Sequence, residues 1–161
     1  MTESRFVSII VGSRSDLEIV QKAADLLGKL GVANELRVIS AHRAPELLER
    51  YVLDALERGA AVFICAAGLA AHLPGVVASK TTLPVVGLPM PGQVAGGLDA
   101  LLSIVQMPKG VPVATVGIGQ AENAALLAAQ MLGLSDAGIA QAVVAHRAEA
   151  RRQIEEDATN Q

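Results

Sequence analysis

Three short segments hold most of the residues that could do chemistry in this chain. They are Gly12-Ser13-Arg14-Ser15-Asp16, Ser40-Ala41-His42-Arg43 and Ala66-Ala67-Gly68-Leu69-Ala70-Ala71-His72. The first offers hydroxyls, backbone N–H groups and an oncoming helix N-terminus, which together favour an anion such as one phosphate. Asp16 within it can accept hydrogen bonds from sugar hydroxyls. It contains neither GxGxxG nor GxxxxGK[ST], so it is neither a dinucleotide fingerprint nor a P-loop. Helix capping also accounts for these residues, because Ser15-Asp16-Leu17-Glu18 reads as a capping box with Ser15 as N-cap. Ser15 is assigned to that role. Ser13 and Asp16 suit capping and ligand binding equally.

In the second segment, Arg43 beside Ser40 reads as a phosphate fork. A cation at a helix start opposes the macrodipole, which argues that Arg43 is there for something other than stability. A lone histidine at a junction is more often a capped surface group than a catalyst. His42, however, lies between a hydroxyl and an arginine, and an imidazole exchanges protons near neutrality. His72 fits a packed, helix-starting role as well as a ligand role. His146 falls in a polar terminal segment and reads as surface. One cysteine and three scattered histidines give no zinc-like ligand cluster. Cys65 ends an apolar run and reads as a small core filler.

The elements that must position these residues alternate. Phe6–Val11, Glu35–Ser40, Ala61–Cys65, Pro84–Leu88 and Val111–Gly117 read as strands. Leu17, Val20, Ala24, Leu27 and Leu30 recur at helical spacing before a Gly31 stop. Pro45 starts a helix with Leu48, Tyr51, Val52, Ala55 and Leu56 on one face, and Pro74 starts another. Further helices are expected over Leu98–Val105, Asn123–Leu132 and Asp136 to about Glu156. Pro89–Gly97 reads as loop. Alternating strand and helix implies βαβ units, a parallel sheet and a three-layer α/β/α sandwich, flavodoxin-like or Rossmann-like. One domain over 1–161 is expected, with 157–161 a frayed tail. In such sheets ligands bind beyond the carboxyl ends of the strands, and all three segments fall at such ends.

Composition narrows the function classes. The net charge is −3 and only three residues are aromatic (Phe6, Tyr51, Phe63), which argues against a nucleic-acid partner. The single cysteine suits a reducing compartment. Gly59–Ser79 contains no Asp, Glu, Lys or Arg, but Gly68, His72, Pro74 and Gly75 interrupt it, so it does not read as a membrane span. Met1–Arg5 is polar and does not resemble a signal peptide. A cytoplasmic protein is expected. The 77 residues from Gly59 to Ser135 hold four charges, Lys80, Asp99, Lys109 and Glu122, while the other 84 hold 25. Burial between subunits is the economical explanation for so charge-poor a stretch.

Five motifs occur in order: Gly12-Ser13-x-Ser15-Asp16, Ser40-Ala41-His42-Arg43, Ala70-Ala71-His72-Leu73-Pro74-Gly75, Ser103-Ile104-Val105-Gln106-Met107-Pro108 and Asn123-Ala124-Ala125-Leu126-Leu127-Ala128. Together they resemble the class I N5-carboxyaminoimidazole ribonucleotide mutases of purine biosynthesis, over about Val7 to Leu132. The resemblance implies transfer of a carboxylate from the exocyclic nitrogen of an imidazole ribonucleotide to ring carbon 4. It implies no metal, ATP or organic cofactor, and a homo-octamer with active sites between subunits. It places Ser13, Asp16 and Arg43 in the substrate site, with Ser40 beside the phosphate and His42 as the catalytic histidine. Ala67, Gly68, Leu69, Ala70 and His72 match the loop over the imidazole and the migrating carboxylate. Leu69 stands where many bacterial relatives have Gly, and Gly119–Asn123 is shorter than the common bacterial form.

Two other functions remain in view. A class II-type carboxylase would take aminoimidazole ribonucleotide and free CO2 to the same product; the intact Ala-His-Leu-Pro-Gly stretch favours class I. A non-catalytic nucleotide- or phosphate-binding module would explain the fold and the anion loop but gives His42 no role. A purely structural oligomer explains the apolar stretch and none of the polar junctions.

Overall fold

A computed structural model describes residues 5–159. Strand β1 (Phe6–Val11) is a run of apolar and β-branched residues broken only by Ser8, and it is buried from end to end. Alternate side chains serve opposite faces. Val7, Ile9 and Val11 join one apolar cluster, and Phe6 and Ile10 join the other. The chain then alternates through α1 (Leu17–Lys29), β2 (Asn34–Val38), α2 (Pro45–Glu57), β3 (Ala60–Ala67), α3 (Leu73–Ala78) and β4 (Val85–Pro89). It continues through α4 (Leu98–Val105), β5 (Ala114–Thr115), α5 (Ala121–Gly133) and α6 (Ala137–Thr159).

All strand pairings are parallel, in the order β2-β1-β3-β4-β5. The first cluster packs α1, α5 and Val143 of α6 on one face of the sheet; the second packs α2, α3 and α4 on the other. This is the three-layer α/β/α sandwich, with flavodoxin-like strand order. On α5 the buried residues are mostly alanines (Ala121, Ala124, Ala125, Ala128, Ala129), small enough for the helix to seat close against its neighbours. Gly31, at φ 74°, ends α1 as expected.

Several boundaries differ from the sequence expectation. The capping box does not form. A 3₁₀ turn over Arg14–Asp16 precedes α1, its N-cap is Ser13, and Ser13 Oγ accepts from the Ser15 N–H at 3.3 Å. The inserted turn moves the start of α1 beyond Ser15. Strand β5 is two residues rather than seven: it sits at the sheet edge with one neighbour, and Pro112 has no N–H to give a ladder. Strand β3 is longer than expected because alanines continue its buried run to Ala67. The charge-free stretch Gly59–Ser79 becomes β3, a loop and a six-residue helix. Among the described residues no helix is long and apolar enough to cross a membrane. Helix α6 runs to Thr159, so Asp157–Thr159 of the expected frayed tail are helical. Residues 160–161 of that tail, and residues 1–4 of the polar N-terminus, lie outside the described residues.

One polar network crosses from the sheet to α2. Ser8 is fully buried, and its hydroxyl lies 2.7 Å from Tyr51 Oη. Tyr51 donates its only proton to Glu35 Oε1 at 2.6 Å, so Ser8 donates to Tyr51. Arg58 Nη2 also donates to Glu35 Oε1, at 2.6 Å, and Arg58 Nε to Asp54 Oδ2 at 2.7 Å. The Arg58 guanidinium holds the Glu35 carboxyl below its ordinary value of 4.5, while burial pushes the Tyr51 phenol up. The sign follows directly. Glu35 contributes stability that is full above the ordinary carboxylate range and is lost as pH falls through the lowered value. In urea unfolding, Glu35→Gln is expected to flatten the stability–pH curve in that acid window. Tyr51→Phe, which leaves the Ser8 hydroxyl buried without a partner, is expected to cost about 1–3 kcal/mol at neutral pH.

Candidate active site

The strand order places a reversal at β1: its neighbours are β2 on one side and β3 on the other. At such a switch point the loops leaving the two halves of the sheet part and open a crevice at the carboxyl rim. Backbone bonds lock its walls. Gly12 N–H donates to Ala66 O at 3.2 Å, Ile39 N–H to Val11 O at 2.9 Å and Met90 N–H to Ala67 O at 2.9 Å. The resulting cleft has a volume of about 560 Å³. Ser13, Asp16, Ser40, His42, Arg43, Ala67, Gly68, Leu69 and Ala70 all line it. Eight of the nine come from three separate connections and Ala67 ends β3, and each is a candidate from sequence alone.

The second loop is fastened to the first by Arg43. Its Nη2 donates to Gly12 O at 3.0 Å and its Nε to Ser40 Oγ at 3.3 Å; its backbone N–H reaches the same oxygen at 3.2 Å. Both lone pairs of Ser40 Oγ are therefore engaged, and what remains is its proton, a donor. Among the described residues no carboxylate lies within 4.0 Å of the Arg43 guanidinium. An uncompensated guanidinium next to a hydroxyl donor suits an anionic ligand. On the first loop, Ser15 Oγ lies 2.9 Å from Ser13 Oγ and 3.1 Å from Asp16 Oδ1. Asp16 makes no cap bond to α1, which leaves its carboxylate available as an acceptor.

His42 Nε2 lies 2.8 Å from His72 Nδ1, with the rings edge-on at 90° and centroids 4.8 Å apart. His72 itself does not line the cleft; it reaches the site through His42. Cys65 is fully buried on β3, where burial pushes its thiol far above the ordinary range, so it is no nucleophile. Among the described residues no three His, Cys, Asp or Glu groups are placed to hold a metal ion. Met90, Pro91 and Gly92 also line the cleft and were missed as site residues. The signal was present, because β4 ends on the same rim as β1 and β3. A second cavity of about 400 Å³, lined by Arg5, Gly59, Leu83, Met131 and Ser135 among others, has Arg5 as the one charged side chain among its described lining residues.

Fold and site thus define a parallel α/β protein whose switch-point cleft carries a guanidinium, hydroxyls and a histidine. Comparison with known proteins narrows this class. A family model described as AIR carboxylase matches residues 6–153. A curated N5-carboxyaminoimidazole ribonucleotide mutase of Pyrococcus horikoshii is 49% identical over 157 residues, covering 98% of this chain and 89% of its own. That of Methanocaldococcus jannaschii is 53% identical over 148 residues, covering 92% of each. The crystal structure of Treponema denticola PurE matches with TM-score 0.87 and 31% identity, covering 97% of this chain and 98% of its own. The chain belongs to the AIR carboxylase family.

Leu69 has φ 56°, in the left-handed region, and is 67% exposed at the mouth of the cleft. Glycine takes that conformation freely; a leucine pays about 1–2 kcal/mol for it. The backbone that a glycine would adopt is thus retained without the glycine. Leu69→Gly is expected to keep the fold and turnover within about threefold, since relieved strain and added chain entropy roughly cancel. Leu69→Ile, β-branched at positive φ, is expected to lower thermal stability and turnover together.

Proposed function

We propose that the protein is an N5-carboxyaminoimidazole ribonucleotide mutase that moves a carboxylate from the exocyclic nitrogen to ring carbon 4 of its substrate. The observation that carries this reading is one cleft holding both an uncompensated Arg43–Ser40 anion site and a histidine. The phosphate is assigned to Arg43, Ser40 and Ser13, and the ribose hydroxyls to Asp16. The imidazole lies against the backbone of Ala67, Gly68, Leu69 and Ala70. The small side chains of Ala67, Gly68 and Ala70 let a flat ring approach closely, and Ala67 is buried.

The chemistry then needs one proton that is given and taken back. The N-carboxylate is a carbamate. Protonation of its nitrogen by His42 lets the C–N bond break, which leaves a neutral amine and CO2. Carbon 4, made nucleophilic by that amine, attacks the trapped CO2 and forms the C–C bond. Neutral His42 removes the proton from carbon 4, which restores both the aromatic ring and the protonated histidine. Holding CO2 beside carbon 4 replaces a bimolecular encounter with a positioned one. The same reading implies a cytoplasmic enzyme.

The direct test supplies each substrate separately, without ATP. Product is expected from N5-carboxyaminoimidazole ribonucleotide; efficient turnover only from aminoimidazole ribonucleotide with CO2 would overturn the mutase in favour of a carboxylase. His42→Asn is expected to lower kcat by at least about 10²-fold while substrate still binds in calorimetry. Unchanged turnover would remove His42 from the mechanism.

We further infer a homo-oligomer, an octamer by family resemblance. Leu98, Leu102 and Val105 recur at i, i+4 and i+7 on α4 and are 43%, 49% and 48% exposed. They face away from buried Ala100 and Ile104 and belong to the charge-poor stretch. A second copy of the chain is the natural cover for such a stripe. Leu102→Asp is expected to reduce the mass measured by light scattering toward that of the 16.6 kDa chain. A wild-type protein that is already monomeric would contradict this.

A further inference from the structure

The contact between His42 and His72 is not used by the mechanism above, and it constrains how that mechanism runs. The bond joins Nε2 of His42 to Nδ1 of His72 at 2.8 Å. Among the described residues neither Nδ1 of His42 nor Nε2 of His72 has a hydrogen-bond partner within the protein. Only one proton fits between the bonded pair, since two N–H groups facing each other repel. Which nitrogen carries it decides which atom of His42 can exchange a proton with substrate.

Two arrangements are possible. In the first, His72 donates from Nδ1 and His42 accepts at Nε2. Neutral His42 then has its own proton on Nδ1, and gaining a second one at Nε2 sets two N–H groups face to face. The contact would break at every turnover. In the second, His42 donates from Nε2 and His72 accepts at Nδ1. His42 then gains and loses its catalytic proton at Nδ1, and the bond is intact in both protonation states. Only the second arrangement lets one fixed ring act as acid and then as base.

We propose that His72 is a positioning residue that accepts the Nε2–H of His42 and so assigns the proton transfers to Nδ1 of His42. The proposal rests on the mutase reading for the direction of the bond and its kinetic consequences, but not for the contact itself. It also gives His72 a role that differs from direct substrate contact. The backbone supports the arrangement: the His72 N–H donates to Ala70 O at 2.8 Å, and Leu73 and Pro74, which follow, are buried. The residue that holds His42 is thus anchored to the core on one side and to the cleft loop on the other.

The test has two arms. The first reads kinetics. His72→Leu removes the acceptor and is expected to lower kcat by about 10- to 100-fold with KM changed less than about threefold. His72→Asn can place an amide oxygen near the position of Nδ1 and is expected to recover most of that loss. Equal kcat in wild type and His72→Leu would overturn the proposal, as would a loss that appears mainly in KM. Thermal unfolding of both variants shows whether either loss is one of folding. The second arm does not depend on activity. With ¹⁵N-labelled histidine, the chain has only three imidazoles to assign. Neutral His42 is expected to carry its proton on Nε2, and His72→Leu to release that preference. A proton on Nδ1 of neutral His42 would overturn the proposal. Failure of the mutase reading would show instead as a wild-type enzyme inert toward the substrate.

Discussion

Five parallel strands must all end on the same rim of their sheet, and that constraint gives this protein its site. Because β1 is flanked by β2 on one side and β3 on the other, the loops leaving these strands cannot follow one another around one edge. They part at β1, and the space between them is the cleft. The core makes the geometry rigid: both faces of the sheet are covered by packed helices, and β1, β3 and β4 are almost wholly buried. Side chains carried by loops are then positioned by elements that cannot slide past one another.

Within the cleft, polar groups are aligned so that donors remain unused. Ser40 accepts twice from Arg43 and keeps a proton to give; Arg43 is tied to a serine and a carbonyl and, among the described residues, meets no carboxylate. A site built this way has unfilled capacity for negative charge. The histidine lies in the same cleft. The left-handed Leu69 backbone belongs to the same economy. Local strain is held in a loop that lines the cleft.

The sequence pattern made the layers, the parallel sheet and nine cleft residues legible, because hydrophobic periodicity and loop placement are local signals. Three things were not. Ser15 looked like the N-cap because spacing cannot distinguish an α-helix that starts at once from one preceded by a 3₁₀ turn. β5 looked longer because apolar composition does not say that an edge strand has one neighbour and that Pro112 cannot donate. The meeting of His72 with His42 was not legible because nothing in a sequence states that residues 30 apart will meet ring to ring. Met90, Pro91 and Gly92 were overlooked for a different reason: their loop carries no titratable side chain, so only topology marks it.

Confinement of CO2 is the claim on which the chemistry depends, since a carboxylate that escapes cannot be a positioned reactant. The most direct measurement uses substrate labelled with ¹³C in its N-carboxylate, turned over in unlabelled CO2 and bicarbonate without ATP. Retention of the label at carbon 4 of the product is the predicted result. Product carrying the isotopic composition of the medium would contradict the account and leave the cleft open to bulk CO2.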